Sequence, residues 1–167
     1  KDEVVDMSAG GIHHSWEEDK DKAPLGNVLY EVQLDAMDPV YTLRSFDQGK
    51  IKNDGSIRPI QVEDYFKFLD TAPAHNKTAS NVSCPEGISL CKTPYYSLDR
   101  LKISAPLKET TTTSFVNLYV KEGALKVVAT DGEVVVGTGH SCFIPQEVGK
   151  YSLENIGEQC IVLKTYI

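Results

Sequence analysis

Apolar residues are spaced along this chain in different ways, and the changes of spacing divide it. From Pro94 to Ile167 they fall in short runs separated by turn formers: Tyr95 to Ile103, Ser114 to Lys121, Leu125 to Ala129, Glu133 to Val136, Ser141 to Ile144, Tyr151 to Glu154 and Cys160 to Tyr166. None has a helical period, so the spacing predicts a β-sandwich or small barrel able to fold by itself. Asp131-Gly132, set between two of these runs, predicts a hairpin turn. Between Gln48 and about Thr93 the pattern changes. Asn53-Asp54-Gly55 reads as a turn, and Val62, Tyr65, Phe66 and Leu69 stand at i, i+3, i+4 and i+7. That stripe predicts a short helix near 61–70 with one apolar side against a neighbouring surface. Thr71 to Pro85, rich in Ala, Ser, Asn and Thr, reads as a connector. From Lys1 to about Asp47 strand-like runs return at Val4 to Met7, Val28 to Leu34 and Tyr41 to Phe46. The charged stretch Trp16 to Lys22 and a turn at Pro24-Leu25-Gly26-Asn27 interrupt them. The expected organisation is therefore 1–47, strands with a long loop; 48–93, a linker with a helix; and 94–167, a β unit.

Composition narrows the function classes. A formal charge of -7 over 167 residues, with no basic cluster, argues against a nucleic-acid surface. No apolar run approaches the roughly 20 residues of a membrane-spanning helix. Cys84, Cys91, Cys142 and Cys160 lack paired C-x-x-C spacing, so reduced thiols in a cytoplasmic protein are the expectation. Asn76-Lys77-Thr78 and Asn81-Val82-Ser83 match the glycosylation acceptor pattern and are read as loop signals.

The alternating Val4-Val5-Asp6-Met7 runs into Ser8-Ala9-Gly10-Gly11-Ile12-His13, a strand ending in a glycine turn that carries a histidine. This resembles the second motif of cupin barrels, where such a turn aims the histidine into the barrel at a metal. A fainter copy follows: Gly139, five residues, then Pro145, but Lys150 stands where the histidine would. A protonated ammonium is no metal ligand. The strand Phe115 to Lys121 also lacks the His-x-His pair of the first cupin motif. The resemblance implies a mainly β, cupin-type jelly-roll architecture. The first barrel, at 1–47, is partial and carries the metal histidine, and a short helix connects it onward. The second, at 94–167, is complete and metal-free, built for structure or binding.

Further stretches, in order, make the chain resemble the C-terminal half of class I mannose-6-phosphate isomerases. Ser8 to His13 is similar to that family's Pro-Ala-Gly-x-x-His segment, whose histidine binds zinc. Tyr30-Glu31-Val32-Gln33 resembles its Leu-Glu-Ile-Gln strand, whose glutamate lines the active site. Leu43-Arg44-Ser45-Phe46-Asp47 is similar to its arginine segment. The run Asp54 to Glu63 resembles its linker to a helix, and Pro94 to Leu101 resembles the opening strand of its last barrel. There are departures: Ser8 replaces proline, the Trp16 to Asn27 loop is longer, and Glu31 to Arg44 is stretched by a few residues. The resemblance implies zinc as cofactor, a sugar-phosphate substrate, and conversion of mannose-6-phosphate to fructose-6-phosphate in the intact parent. The family's other zinc ligands, a Gln-x-His pair and a glutamate, would precede Lys1. The chain alone is therefore expected to be inactive and to pack against an N-terminal part; by itself, its exposed apolar face is expected to give artificial self-association.

Each candidate residue has two readings. His13 is a zinc ligand or a histidine packed at a barrel mouth; His14, on the opposite side of the turn, is structural or solvated. Arg44 stabilises an enediolate or holds the sugar phosphate, since its planar donor fork suits oxyanions, or else it pairs with Asp47. Glu31 is a proton-transfer carboxylate or an inward polar residue bonded within the barrel. The charged stretch beside Trp16 is a solvated loop or a lid, while His140 and His75 read as surface residues. At the level of the whole protein, the alternative to an isomerase is a non-catalytic cupin that binds a sugar phosphate or regulates through it.

Overall fold

The computed structural model describes Val4 and residues 20–21, 24–26, 28–33, 43–46, 51–72 and 88–167. The chain divides into two compact units, Val5–Ala79 and Lys1–Val4 with Ser80–Ile167.

In the larger unit an alternation of apolar and polar residues makes strands whose two faces differ. The strands are β1 (Ile88–Lys92), β2 (Ser97–Lys102), β3 (Leu107–Thr110), β4 (Val116–Glu122), β5 (Ala124–Ala129), β6 (Gly132–Gly137), β7 (Ser141–Ile144), β8 (Lys150–Asn155) and β9 (Ile161–Tyr166). They form a five-stranded sheet in the order β1-β2-β9-β4-β7 and a four-stranded sheet in the order β3-β8-β5-β6. Every strand pairing is antiparallel. Consecutive strands thus often lie in different sheets, the winding of a jelly roll. Val116, Leu118, Val120 and Val162 on one sheet and Leu125, Val127, Tyr151 and Leu153 on the other are buried together in one core. Burying each large aliphatic side chain contributes roughly 1.5–3 kcal/mol.

The chain changes sheets at a single residue between β4 and β5, Gly123, which has φ +83. A Cβ there would collide with the Gln159 carbonyl, and the Gly123 carbonyl accepts a hydrogen bond from Thr138 Oγ1 at 2.8 Å. Between β3 and β4 the buried Thr111 acts as a clasp. Its hydroxyl donates to Gln146 O at 2.8 Å and accepts from the Gly149 N–H at 2.9 Å, fixing the short 3-10 turn Gln146–Val148.

Several expectations are refined. The barrel's first strand starts at Ile88 and β3 has no counterpart among the expected runs. In the β5–β6 hairpin Ala129 pairs with Gly132, so the turn residues are Thr130-Asp131, one position earlier than expected. In the smaller unit, residues 28–33 and 43–46 are not strands. Alternation supplies a strand's two faces but not the ladder of hydrogen bonds that defines it. The only pairing described in that unit is an isolated bridge, Ile51 to Ile57, across the expected turn, where Gly55 takes φ +82. Apart from Val4, the run Val4 to Met7 lies outside the described residues. The helix α1 is Val62–Phe68, and none of its residues is buried. Of its apolar stripe, Phe66 is 67% exposed, while Tyr65 and Leu69 are half-buried. Among the described residues no helix is long and apolar enough to cross a membrane.

The Gly123 corner gives a direct test. Gly139 has a similar φ, +80, but open space around it. Gly139→Ala is expected to cost roughly 1–2 kcal/mol, the strain of a left-handed alanine. Gly123→Ala adds a backbone clash and is expected to cost at least about twice as much. Urea denaturation of both variants measures the difference.

Candidate functional site

Of the residues singled out by sequence, the structure describes Glu31, Arg44 and His140. His13 lies outside the described residues, as do His14, Trp16 and His75. Glu31 is exposed on a segment without regular structure. Arg44 is half-buried, and its backbone is tied to the residue before α1: its N–H donates to Gln61 Oε1 at 3.2 Å, and its carbonyl accepts from the Gln61 N–H at 2.8 Å. Those bonds fix where the Arg44 Cα stands relative to the helix start. His140 is exposed, with Nδ1 3.1 Å from Thr138 O, as a surface histidine should be. Among the described residues no group of three or more His, Cys, Asp and Glu is placed to hold a metal ion.

The barrel interior explains this for the second unit. Residues paired across neighbouring strands share a face, so the register writes out the inner surface of the five-stranded sheet. Leu101, Val162 and Val120 make one layer; Asp99, Lys164 and Leu118 the next; Ser97, Tyr166 and Val116 the third. The inner positions of β4, where a metal-binding cupin would carry histidines, are Val116, Leu118 and Val120. Lys150 is exposed and pairs with Thr110 at the edge. The aliphatic side chains at those β4 positions offer no ligand atoms.

One end of the same interior is polar, and sequence reasoning missed it. On the four-stranded sheet, Glu109, Tyr151 and Ala129 form a layer across β3, β8 and β5. Lys164 Nζ reaches from the opposite sheet to donate to Glu109 Oε2 at 2.7 Å, with both side chains largely covered. The same ammonium lies 4.9 Å from the centre of the Tyr166 ring, a cation–π contact. Burial raises the Tyr166 hydroxyl above its usual range, its hydrogen bond to Asp99 acts in the same direction, and a bond from Ser97 opposes them. Two buried atoms here have no hydrogen-bond partner in the protein, Asp99 Oδ1 and the Tyr151 hydroxyl. Tyr151 is 4% exposed. Burial pushes its phenol far above the ordinary value of 10.0, and the negative charge of Glu109 adds to that, followed by Cys142. Burial likewise raises the Cys142 thiol and keeps it protonated. A buried hydroxyl without a partner costs roughly 1–3 kcal/mol, so this end of the barrel is built against its own stability. The available signal was the period-two alternation itself: carried past Val162, it puts Lys164 and Tyr166 on the inner face.

Two outcomes are expected. Lys164→Met strands the Glu109 carboxylate between the sheets and lowers stability by about 2–3 kcal/mol, while the double variant Lys164→Met with Glu109→Leu recovers most of the loss; chemical denaturation of the single and double variants measures both. Because the fold raises the Tyr151 pKa, the neutral phenol is the form it favours. That contribution is complete below pH 10.0, the ordinary value, and is lost as the pH climbs from there toward the folded value. Tyr151→Phe should therefore move alkaline unfolding, followed by circular dichroism above pH 10, to higher pH.

Comparison with known proteins agrees with the barrel. Residues 86–164 match the family model for the cupin domain of mannose-6-phosphate isomerase. No curated protein matches the chain. Among solved structures it is similar to the mannose 6-phosphate isomerase of Bacillus subtilis, at 14% identity and a TM-score of 0.56, over 75% of this chain and 40% of that one. The chain thus spans less than half the length of that enzyme. It is also similar to a cupin-2 domain protein from Shewanella frigidimarina, at 14% identity and a TM-score of 0.43, over 64% of this chain and 92% of that one. The Cnp3 cupin domain of Schizosaccharomyces pombe is similar at 17% identity and a TM-score of 0.44, over 50% of this chain and 63% of that one. At such identities the Bacillus likeness speaks for the fold alone. Residues 86–164, which match that family model, thus form two antiparallel sheets wound as a cupin-type jelly roll.

Proposed function

We propose that this chain is the C-terminal part of a cytoplasmic sugar-phosphate isomerase of the mannose-6-phosphate isomerase kind. The observation that carries the reading is the match of residues 86–164 to that enzyme's cupin-domain model. The ordered stretches around His13, Glu31 and Arg44 support it from the other half of the chain. In this reading the second barrel is a support, and the chemistry belongs to the first. Interconverting an aldose and a ketose phosphate requires a proton to move between adjacent carbons while negative charge builds on the sugar oxygens. Glu31 would carry the proton, and its exposure means that the substrate itself must cover it. Arg44, anchored to Gln61 through its backbone, would hold the developing oxyanion or the phosphate with its donor fork. Zinc, when bound, would supply Lewis-acid polarisation of the sugar oxygens. His13 would be one ligand, and a lone imidazole does not hold zinc firmly, so binding needs donors from elsewhere in the protein.

A second reading is a cupin that binds a sugar phosphate without turning it over; the departures from the family's motifs, Ser8 in place of proline and the longer Trp16 to Asn27 loop, favour it.

A coupled mannose-6-phosphate to fructose-6-phosphate assay, with zinc, on the longest product of the gene separates the two. The expected result is turnover that His13→Ala abolishes and that Arg44→Ala lowers in kcat by roughly 10²–10³-fold. Folded, zinc-loaded protein that shows no turnover, but melts at a higher temperature with mannose-6-phosphate, would replace the isomerase by the binding protein.

A further inference from the structure

The second barrel contains polar groups that its own stability does not need. Tyr151 is 96% covered, as its 4% exposure states, yet its hydroxyl has no partner in the protein, and Asp99 Oδ1 is buried in the same condition. Both belong to inward-facing positions: Tyr151 pairs with Glu109 across β8 and β3, and Asp99 pairs with Lys164 across β2 and β9. The Lys164–Glu109 bond joins the two sheets between them at 2.7 Å. Tyr166 links the cluster to Asp99 from its neighbouring inner position. Unmade hydrogen bonds of this kind are rare in native interiors and call for a partner from outside the chain.

We propose that this polar end of the second barrel binds a small, neutral, hydroxyl-rich molecule, an unphosphorylated sugar or other polyol, through Asp99 and Tyr151. The charge balance selects the class. Lys164 is already matched by Glu109, so the surplus charge is the Asp99 carboxylate, whose open oxygen accepts a hydrogen bond. A hydroxyl group donates to that oxygen, and a second one pairs with the Tyr151 phenol, which both donates and accepts. An anion such as a sugar phosphate would enter beside Asp99 and Glu109 with no free cation among them, an unfavourable desolvated arrangement. The Lys164–Glu109 pair acts as a positioning element: it holds the two sheets at the spacing in which Asp99 and Tyr151 face the same interior. The site is independent of His13, Glu31 and Arg44 and stands or falls without the isomerase reading.

Titration calorimetry of the full chain with glycerol, mannose and fructose, and with mannose-6-phosphate as the charged counterpart, tests the proposal. The expected result is binding of at least one neutral polyol in preference to the phosphate, weakened tenfold or more by Tyr151→Phe and by Asp99→Asn. Without ligand, Tyr151→Phe should melt at the same temperature as the parent or higher, because it removes only an unmatched hydroxyl. Binding of the phosphorylated sugar alone, no binding of any probe, or binding indifferent to both substitutions would overturn it. So would a lower unliganded melting temperature for Tyr151→Phe, which would reveal a partner for the hydroxyl inside the fold.

Discussion

The structure of the larger unit depends on the contact between two apolar sheet faces. Neither sheet is stable alone in water, because each exposes a row of Val, Leu and Ile on one side. Meeting face to face, they remove Leu118, Val120 and Val162 from solvent against Leu125 and Leu153. Much else follows from that contact. The chain must cross between the sheets, which forces the tight corner at Gly123. The loops at the barrel ends must be short or clasped, and Thr111 does the clasping at Gln146 and Gly149. Any polar group carried on the inner faces is committed to the interior, whatever it costs.

The sequence made the barrel legible because the core imposes a period of two on each strand. The runs Ser114 to Lys121, Leu125 to Ala129 and Ser141 to Ile144 coincide with β4, β5 and β7 to within two residues at either end. The strands that escaped notice have physical reasons. In β3 only Leu107 is apolar, and its other inner residue is Glu109; it is a strand because β8 offers it a ladder. In β1 the register shifts between Ser89 and Cys91, and that irregularity breaks the alternation a reader would look for. Residues 28–33 show the converse: an alternating pattern does not by itself make a strand.

The candidate sites were legible to different degrees. Motifs located His13, Glu31 and Arg44 through resemblance, since nothing in their local pattern names a ligand or a base. The polar interior of the second barrel was invisible for a different reason. Asp99, Glu109 and Lys164 sit on three separate strands, and a charged residue in a strand is ordinarily assigned to the solvent face. Alternation carried past Val162 hints at it for Lys164, and the register, which aligns Asp99 with Lys164 and Leu118, shows that these charges point inward. The absence of metal-binding histidines in this barrel had a simpler origin and was readable directly, as Val116, Leu118 and Val120 occupy the inner positions of β4.

The position of β9 has a consequence for how the protein is made. It is the last strand in the chain order, yet it lies in the middle of its sheet, pairing Ser97 with Tyr166 on one side and Val116 with Tyr166 on the other. During synthesis β2 and β4 emerge with a vacant place between them and cannot complete their hydrogen bonds until β9 leaves the ribosome. For that interval both strands offer open edges and apolar faces to any other chain nearby. Such long-range closure is slow compared with local hairpin formation. Until Ile161–Tyr166 are made, the growing chain therefore carries an open sheet in place of a closed barrel.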